Sequence, residues 1–347
     1  MPSIKEVAAE AKVSLGTVSK VLNGRNDATI TKATRERIHA AARQVGYHPS
    51  IVARGLAGKR MNALGVVMAY SQESVTSDPY LGPCLDGILS VCKQRHQKTI
   101  LYLEGSWDDA LESVPMYCDG HCDGLLLVIP RTNCGITETL LTRPNGIPFV
   151  LVGDSRNGDE LVAADVDNVG GARAITEYLL QLGHRRIAVF CGNYDFCSND
   201  QRIEGYRQAL AAAGIPFDPE LLFPGEYHPE WGERNVAALL RRFPGETLPT
   251  AVFCLCDAIA VGALRAFAAN HLSVPGRISV VGFDDIATAE MLGLTTMRHP
   301  IRTVGMRATE ALLGCIHKEV SAGRRDLIPP ELTVRATTAP PGRNGTR

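Results

Sequence analysis

Three sets of side chains in the 347-residue chain have types and spacing suited to chemistry. The first lies in IKEVAAEAKVSLGTVSKVLN, residues 4–23. Val18, Val21 and Leu22 recur at i, i+3, i+4, the spacing of one apolar helical face. The other face presents Leu15, Gly16, Thr17, Ser19, Lys20 and Asn23, mostly short side chains with one cation. Such a face suits a helix pressed against base edges and phosphates. The second set is acidic and closes apolar runs: Asp154 after VLVG, Asp257 after VFCLC, and Asp284 with Asp285 after VVGF. The carboxyl ends of parallel strands are where open α/β sheets bind ligands; the Asp284–Asp285 pair also fits a plain turn. The third set, Cys118, His121 and Cys122, offers zinc-binding side chains. A closed zinc site takes about four ligands and no second pair stands nearby, so no metal and no cofactor is expected. Neither a GxGxxG nor a P-loop is present, nor GxSxG or a spaced Ser/His/Asp set. No catalytic residue is predicted.

The first set needs helices to hold it. Ser3 and Glu6 have capping-box spacing, which starts a helix that runs to about Ala11. Ser14 caps the second helix. A loop over 24–30 leads to a third helix from about Thr31 to Val45, with Ile38, Ala41, Ala42 and Val45 recurring every three or four residues. Thr31 and Thr34 at its start can offer hydroxyls and N–H groups to a phosphate. Three helices with a short second one predict a helix-turn-helix domain; a small helical bundle with a solvated basic face is the alternative. Charge favours the first. Residues 1–60 carry 11 Lys+Arg against 4 Asp+Glu, net +7, while the rest carries 25 against 33, net −8. A basic head on an acidic body points to a polyanion as the head's partner.

The acids need strands. From Leu64 onward, apolar runs (64–68, 99–103, 124–129, 148–153, 186–191, 250–255 and 278–283) alternate with helical stretches near 80–95, 168–182, 200–213, 229–243, 258–270 and 303–318. That alternation predicts an α/β body with parallel sheets covered on both faces. Its order suits two doubly wound lobes: an N-lobe of about 62–163 and 294–323, and a C-lobe of about 164–290 and 324–340.

IKEVAAEAKVSLGTVSKVLNG, TRERI, GYHP and LAGKR together resemble the head of the lactose-repressor/galactose-repressor (LacI/GalR) family, and IRTVGMRATEALL and ELTVRATT resemble its closing motifs. The resemblance spans the whole chain. It implies a helix-turn-helix domain over 1–49, a hinge helix over 50–60, and a bilobal periplasmic-binding-protein-like body over 61–340, before a tail over 341–347. It places base reading on Leu15, Gly16 and Lys20, with Ser14, Thr17, Ser19 and Asn23 near phosphates or bases, and adds Ser3, Thr31, Thr34 and Tyr47 to the DNA contacts. Gly16 has no side chain to read a base edge, and Leu15 can meet only apolar edges such as a thymine methyl. Leu56 matches the family's minor-groove wedge, with Arg54 and Lys59 as phosphate contacts. The stretch 50–58 contains Gly55 and is too short to be a stable helix alone.

The resemblance also implies an effector cleft. Tyr80, Asp154, Arg202, Tyr227, Cys256, Asp257 and Asp284 map onto it, with Cys256 standing where an amide or hydroxyl residue is usual. A thiol is a weaker hydrogen-bonding group. An aromatic face with carboxylates and one Arg is chemistry that holds polyols. Arg202 as a surface ion pair and Tyr227 as lobe packing are the competing readings. Trp107 and Trp231 are read as packing.

The polar, Pro/Gly-rich tail is expected to be disordered. No stretch approaches the roughly 18 apolar residues of a membrane span, and charged residues recur from Lys5 onward, unlike a signal peptide. A cytoplasmic, nucleoid-associated protein is expected, with its ten cysteines reduced and Cys191 and Cys254 packed as small hydrophobes. The expected function is a DNA-binding transcription regulator, most simply a repressor. It would bind a palindromic operator in double-stranded DNA as a homodimer, and a small sugar-like effector would control it. A regulator answering to a protein partner or nucleobase, a transport receptor and a cleft enzyme are the rivals.

Overall fold

The structure, a computed structural model, describes residues 2–22, 27–47, 60–70, 75–144 and 146–342. Asn23, Arg54, Leu56 and Lys59, the hinge stretch 50–59 and tail residues 343–347 lie outside the described residues. The chain divides into two compact units, Met1–Met61 and Asn62–Arg347.

The first unit is built from α1 (Ile4–Glu10), α2 (Leu15–Leu22) and α3 (Lys32–Val45). Ser3 and Glu6 form the full capping box on α1, which satisfies two otherwise orphaned N–H groups. Ser14 Oγ accepts from the Thr17 N–H at the start of α2. Thr31 caps α3, and Gly46, at φ 69°, ends it in the left-handed conformation glycine tolerates. Val7, Ala8, Ala11, Val18, Val21, Ile38, Ala41 and Ala42 form the core. Small residues at half of these positions let three short helices approach closely.

The second unit contains two six-stranded sheets. In chain order its elements are β1 (Ala63–Ala69), α4 (Leu81–Gln94), β2 (Lys98–Glu104), α5 (Trp107–Glu112), α6 (Val114–Tyr117), β3 (Gly124–Val128), α7 (Ile136–Thr142), β4 (Phe149–Val152) and β5 (Ala163–Val166). The chain continues through α8 (Asn168–Gln181), β6 (Ile187–Phe190), α9 (Cys197–Ala212), β7 (Leu222–Phe223), α10 (Pro229–Arg242), β8 (Ala251–Cys254), α11 (Asp257–Ala269) and β9 (Ser279–Asp284). It closes with α12 (Ala287–Met291), β10 (Thr295–Arg298), α13 (Ile301–His317), β11 (Arg325–Ile328) and β12 (Glu331–Thr333). The first sheet has the order β11-β5-β4-β3-β1-β2 with parallel pairing. The second has the order β12-β10-β9-β8-β6-β7 and is parallel except for β12. Central strands read as continuous apolar runs because helices cover both faces. Among the described residues no helix is long and apolar enough to cross a membrane.

Strand pairing corrects the expected lobe boundaries. Ala163–Val166 pairs within the first sheet, so the N-lobe extends past 163. Thr295–Arg298 lies beside β9 in the second sheet, not in the N-lobe. Arg325–Ile328 lies beside β5 in the first sheet, not in the C-lobe. Prolines set these crossings. Pro300 separates β10 from α13, and Pro329–Pro330 splits one extended run into β11 and β12, one for each sheet. A proline lacks the N–H a ladder needs, so a strand ends before it and the chain can change sheets. α13 then returns to the N-lobe, where Ile301, Val304, Ala308 and Leu312 enter the core.

Candidate functional site

In the first unit, α2 turns Val18 and Val21 inward and leaves Ser14, Leu15, Gly16 and Lys20 exposed, with Leu15 at 44%. Thr17 and Ser19 are half-buried along its edge, and Ser3 and Thr34 are half-buried near helix starts. Tyr47 packs against the head core. Lys20 Nζ lies 2.8 Å from Asp27 Oδ2. Lys20 and Thr29 both donate to Asp27, which holds its carboxyl well below the usual range. The exposed face is therefore flat at Gly16, apolar at Leu15 and cationic at Lys20.

In the second unit a cavity of about 360 Å³ lies between the carboxyl ends of the two sheets, within the size range of small-molecule sites. Gly153 and Asp165 wall it from the first sheet, Cys256 and Asp284 from the second. Tyr80, Arg202, Tyr227, Cys256 and Asp284, all predicted from the sequence, line it.

Arg202 is 5% exposed and fixed on several sides. Its Nε donates to Asn168 Oδ1 at 2.8 Å and Nη1 donates to the Leu255 carbonyl. Its Nη2 lies 3.7 Å from Asp284 Oδ1, and the guanidinium stacks 3.8 Å from the Phe283 ring centre. This is a buried, pre-oriented cation, not a surface ion pair. Asp284 sits at φ 122° and Asp285 at φ 60°, conformations costly for residues with a Cβ. Arg298 and Arg335 clamp Asp285 at 2.8 and 2.7 Å, which holds Asp284 toward the cavity. Tyr227 lays its ring against Gly192, where a Cβ would collide with it, and its hydroxyl lies 3.3 Å from Ser198 Oγ. Cys256 caps α11, its Sγ accepting from the Ile259 N–H at 3.5 Å. Burial pushes the Tyr227 hydroxyl and Cys256 thiol up from their ordinary values, so both stay protonated.

Two predicted acids do not line the cavity. Asp154 is 1% exposed and accepts from Arg156, backbone and side chain, and from the Cys197 thiol at 3.1 Å. Arg156 in turn donates to the carbonyls of Pro130, Arg131 and Thr132. Asp154 thus fastens an N-lobe loop beside the start of α9. Asp257 is fully buried, accepting from Thr296 Oγ1 at 2.6 Å and the Ile286 N–H at 3.0 Å. Burial and the Asp284 carboxylate raise its pKa. It is a strut beneath the cavity wall.

Sequence reasoning missed other lining residues, among them Asp165, Trp107 and His299. Asp165 is 1% exposed and accepts from Ser155 Oγ, the Val166 N–H and Asn168 Nδ2 at 2.9, 2.7 and 3.1 Å. Burial pushes its carboxyl up to about 7. An acid closing the apolar run LVAAD was the available signal. Trp107, read as packing, is buried and lines the cavity. His299 lines it from the crossing between β10 and α13, its Nδ1 3.5 Å from Asp284 Oδ1. Of Cys118, His121 and Cys122, only Cys122 is buried, its thiol 3.7 Å from the Tyr117 carbonyl, while His121 is exposed.

The lobes also touch beside the cavity. The Thr132 N–H donates to the Asp195 carbonyl at 2.7 Å. Gln201 Nε2 donates to Ser155 Oγ at 3.1 Å, and Asn168 Nδ2 donates to Gln201 Oε1 at 3.0 Å. Asn168 therefore links the cavity groups Asp165 and Arg202 to a contact that spans the lobes.

The chain matches two family models. Residues 3–50 match bacterial regulatory proteins of the lacI family, and residues 176–338 match a periplasmic binding protein-like domain. It is similar to the HTH-type transcriptional regulator CelR of Thermobifida fusca, 31% identical over 96% of this chain and 97% of that protein. Among solved structures, a complex of the transcriptional regulator CelR with cellobiose is 29% identical with a TM-score of 0.74, covering 97% of this chain and 100% of that one. The lac repressor dimer bound to operator and the anti-inducer ONPF is 25% identical with a TM-score of 0.81, covering 97% and 99%.

Proposed function

Since the chain belongs to the lacI family of bacterial regulatory proteins, we propose that it represses transcription from a palindromic operator under the control of a sugar-like effector. It is a DNA-binding regulator and not an enzyme, and it acts as a dimer. A two-fold dimer presents two equal reading helices, which a palindrome matches. In each head Leu15, Gly16 and Lys20 face base edges, while Ser3, Ser14, Thr17, Ser19, Asn23, Thr31, Thr34 and Tyr47 position the backbone. Lys20 exchanges Asp27 for a base edge on binding. Leu56, with Arg54 and Lys59, supplies the minor-groove wedge. The protein works in the cytoplasm, at the nucleoid.

The observation that carries the effector assignment is Arg202, buried between Asn168, Leu255 and Asp284 in a cavity walled by both lobes. Tyr227 offers a flat face to a sugar ring, and Asp284 and Asp165 accept from its hydroxyls. Cellobiose in the CelR complex is a ligand of this chemical class. A ligand that bridges the walls favours one lobe arrangement over the other. The two binding events are then coupled by the same factor in both directions.

The test is operator binding by fluorescence anisotropy, with a palindrome selected from random duplexes and a saccharide panel added. One saccharide class should change operator affinity about 5- to 150-fold. Arg202→Ala should keep operator binding and lose the response. A full response in Arg202→Ala would refute the assignment.

A further inference from the structure

Two polar side chains in the cavity have hydrogen-bonding capacity that the protein leaves unused. Tyr80 Oη is buried with no hydrogen-bond partner among the described residues, and neither ring nitrogen of His299 makes a hydrogen bond. The two rings meet edge-on with centroids 5.3 Å apart. His299 is 6% exposed, with a side chain at 2%, and both residues line the cavity. A buried polar group without a partner is costly, so such groups are rare unless something else satisfies them.

The charge around them is lopsided. Among the described lining residues, Asp78, Asp165, Glu226 and Asp284 face the cations Arg131 and Arg202. Arg202 is already committed to Asn168, Leu255 and Asp284, and Arg131 lies 3.8 Å from Asp195. Among the described lining residues, acids therefore outnumber the cations that could receive an anionic group.

We propose that His299 and Tyr80 are the specificity-determining residues of the effector site, and that they select an unphosphorylated saccharide. The proposal rests on the cavity being the effector site. His299 Nδ1–H faces the Asp284 carboxylate, which leaves Nε2 as an acceptor; Tyr80 is then the donor beside it. A ligand must donate to one and accept from the other, and sugar hydroxyls do both. A phosphate group placed there presents mainly acceptors, cannot satisfy Nε2, and meets the Asp284 carboxylate. Burial lowers the His299 pKa, which keeps the ring neutral and Nε2 free to accept. His299 also sits where the chain crosses between lobes, and its N–H donates to the Asp284 carbonyl at 3.1 Å. A hydroxyl bonded there touches the segment where the chain crosses between lobes.

The experiment is calorimetric titration and thermal shift of the full chain with matched probes: glucose and glucose 6-phosphate, ribose and ribose 5-phosphate, cellobiose, and guanine. Wild type, Tyr80→Phe, His299→Gln and His299→Leu are compared. The expected result is binding of at least one neutral saccharide and at least tenfold weaker binding of its phosphate ester. Tyr80→Phe and His299→Leu should each weaken the saccharide about tenfold or more, with His299→Gln intermediate, because its amide restores a donor and an acceptor. The ligand-free melting temperature of His299→Leu should hold or rise, since an unpaired polar group has been removed. A merely structural histidine would lower that melting temperature instead. A phosphate ester or guanine binding as tightly as any neutral sugar overturns the proposal and leaves the effector cavity in place. So does undiminished saccharide binding by His299→Leu. If no probe binds wild type, both the sugar reading and this proposal fall.

Discussion

Asp165 shows how far a single residue's surroundings can move its chemistry. Its carboxyl is buried at the end of β5, and burial carries the pKa from 3.8 to about 7 despite hydrogen bonds from Ser155 and Val166. The fold therefore prefers the protonated acid. Below pH 3.8 both folded and unfolded chains hold the proton, and the contribution to stability is fully present. As pH rises toward 7 the unfolded chain ionises first, and that stability is lost. The loss is on the order of 2–4 kcal/mol. Asp165→Asn cannot ionise, so we expect the stability gap between variant and wild type to shift in the variant's favour between pH 4 and 8. Urea denaturation at a series of pH values measures it; a constant gap would refute the assigned pKa. This residue also marks what a linear chain conceals. Asp154, Asp257, Asp165 and Asp284 all lie near strand ends, yet Asp284 and Asp165 line the cavity while the other two brace it. Which carboxylate faces inward depends on its partners: Asp154 is held by Arg156, close by in sequence, and Asp257 by Thr296, far along the chain. Arg202 was legible because the motif around it carries the family resemblance; His299 was not, because its place depends on a lobe crossing.

At the scale of elements, two helices from opposite ends of the body meet through glycines. A Cβ on Gly87 in α4 would collide with the Arg302 carbonyl, and one on Gly305 in α13 with the Cys84 carbonyl. Both obstacles are backbone, so neither helix can yield by a rotamer change. Gly305→Ala should therefore cost about 1–3 kcal/mol by overpacking, although alanine is the better helix former. Differential scanning calorimetry should show a drop of about 2–4 °C per kcal/mol for a body of this size. An unchanged or higher melting temperature would mean the helices can separate. The long helices and central strands were readable because their apolar periodicity is strong, as in LGVVM and GLLLVI. The short elements were not. β5, β7, β10, β11 and β12 have two to four residues each, and their sheet membership follows from pairing. The prolines at 300, 329 and 330 were visible in the sequence. Their consequence, a strand handed to the other sheet, needed the register.

The molecule as a whole divides its work by charge. The first 60 residues carry net +7 and the remainder −8, and the chain separates into compact units at nearly the same place, after Met61. That division was legible in composition alone, since a polyanion partner requires a local excess of cations whatever the fold beneath. The body has separate cores on the two sheets, with Leu64, Val66 and Leu126 in one and Val189, Phe253 and Phe283 in another. A fragment of residues 62–347 should therefore fold and keep the full saccharide-induced thermal shift, while losing operator binding altogether. The intact chain should lose operator affinity steeply as salt rises, because its cations displace condensed counterions. The saccharide shift of either form should be nearly insensitive to salt, since Arg202 is buried, Asp284 is half-buried and the pair is weakly screened. Thermal shift and anisotropy across a salt series separate the two behaviours. If deleting the head abolished the saccharide shift, the effector site would need more than the body, and the cavity between the sheets would not be the sensor on its own.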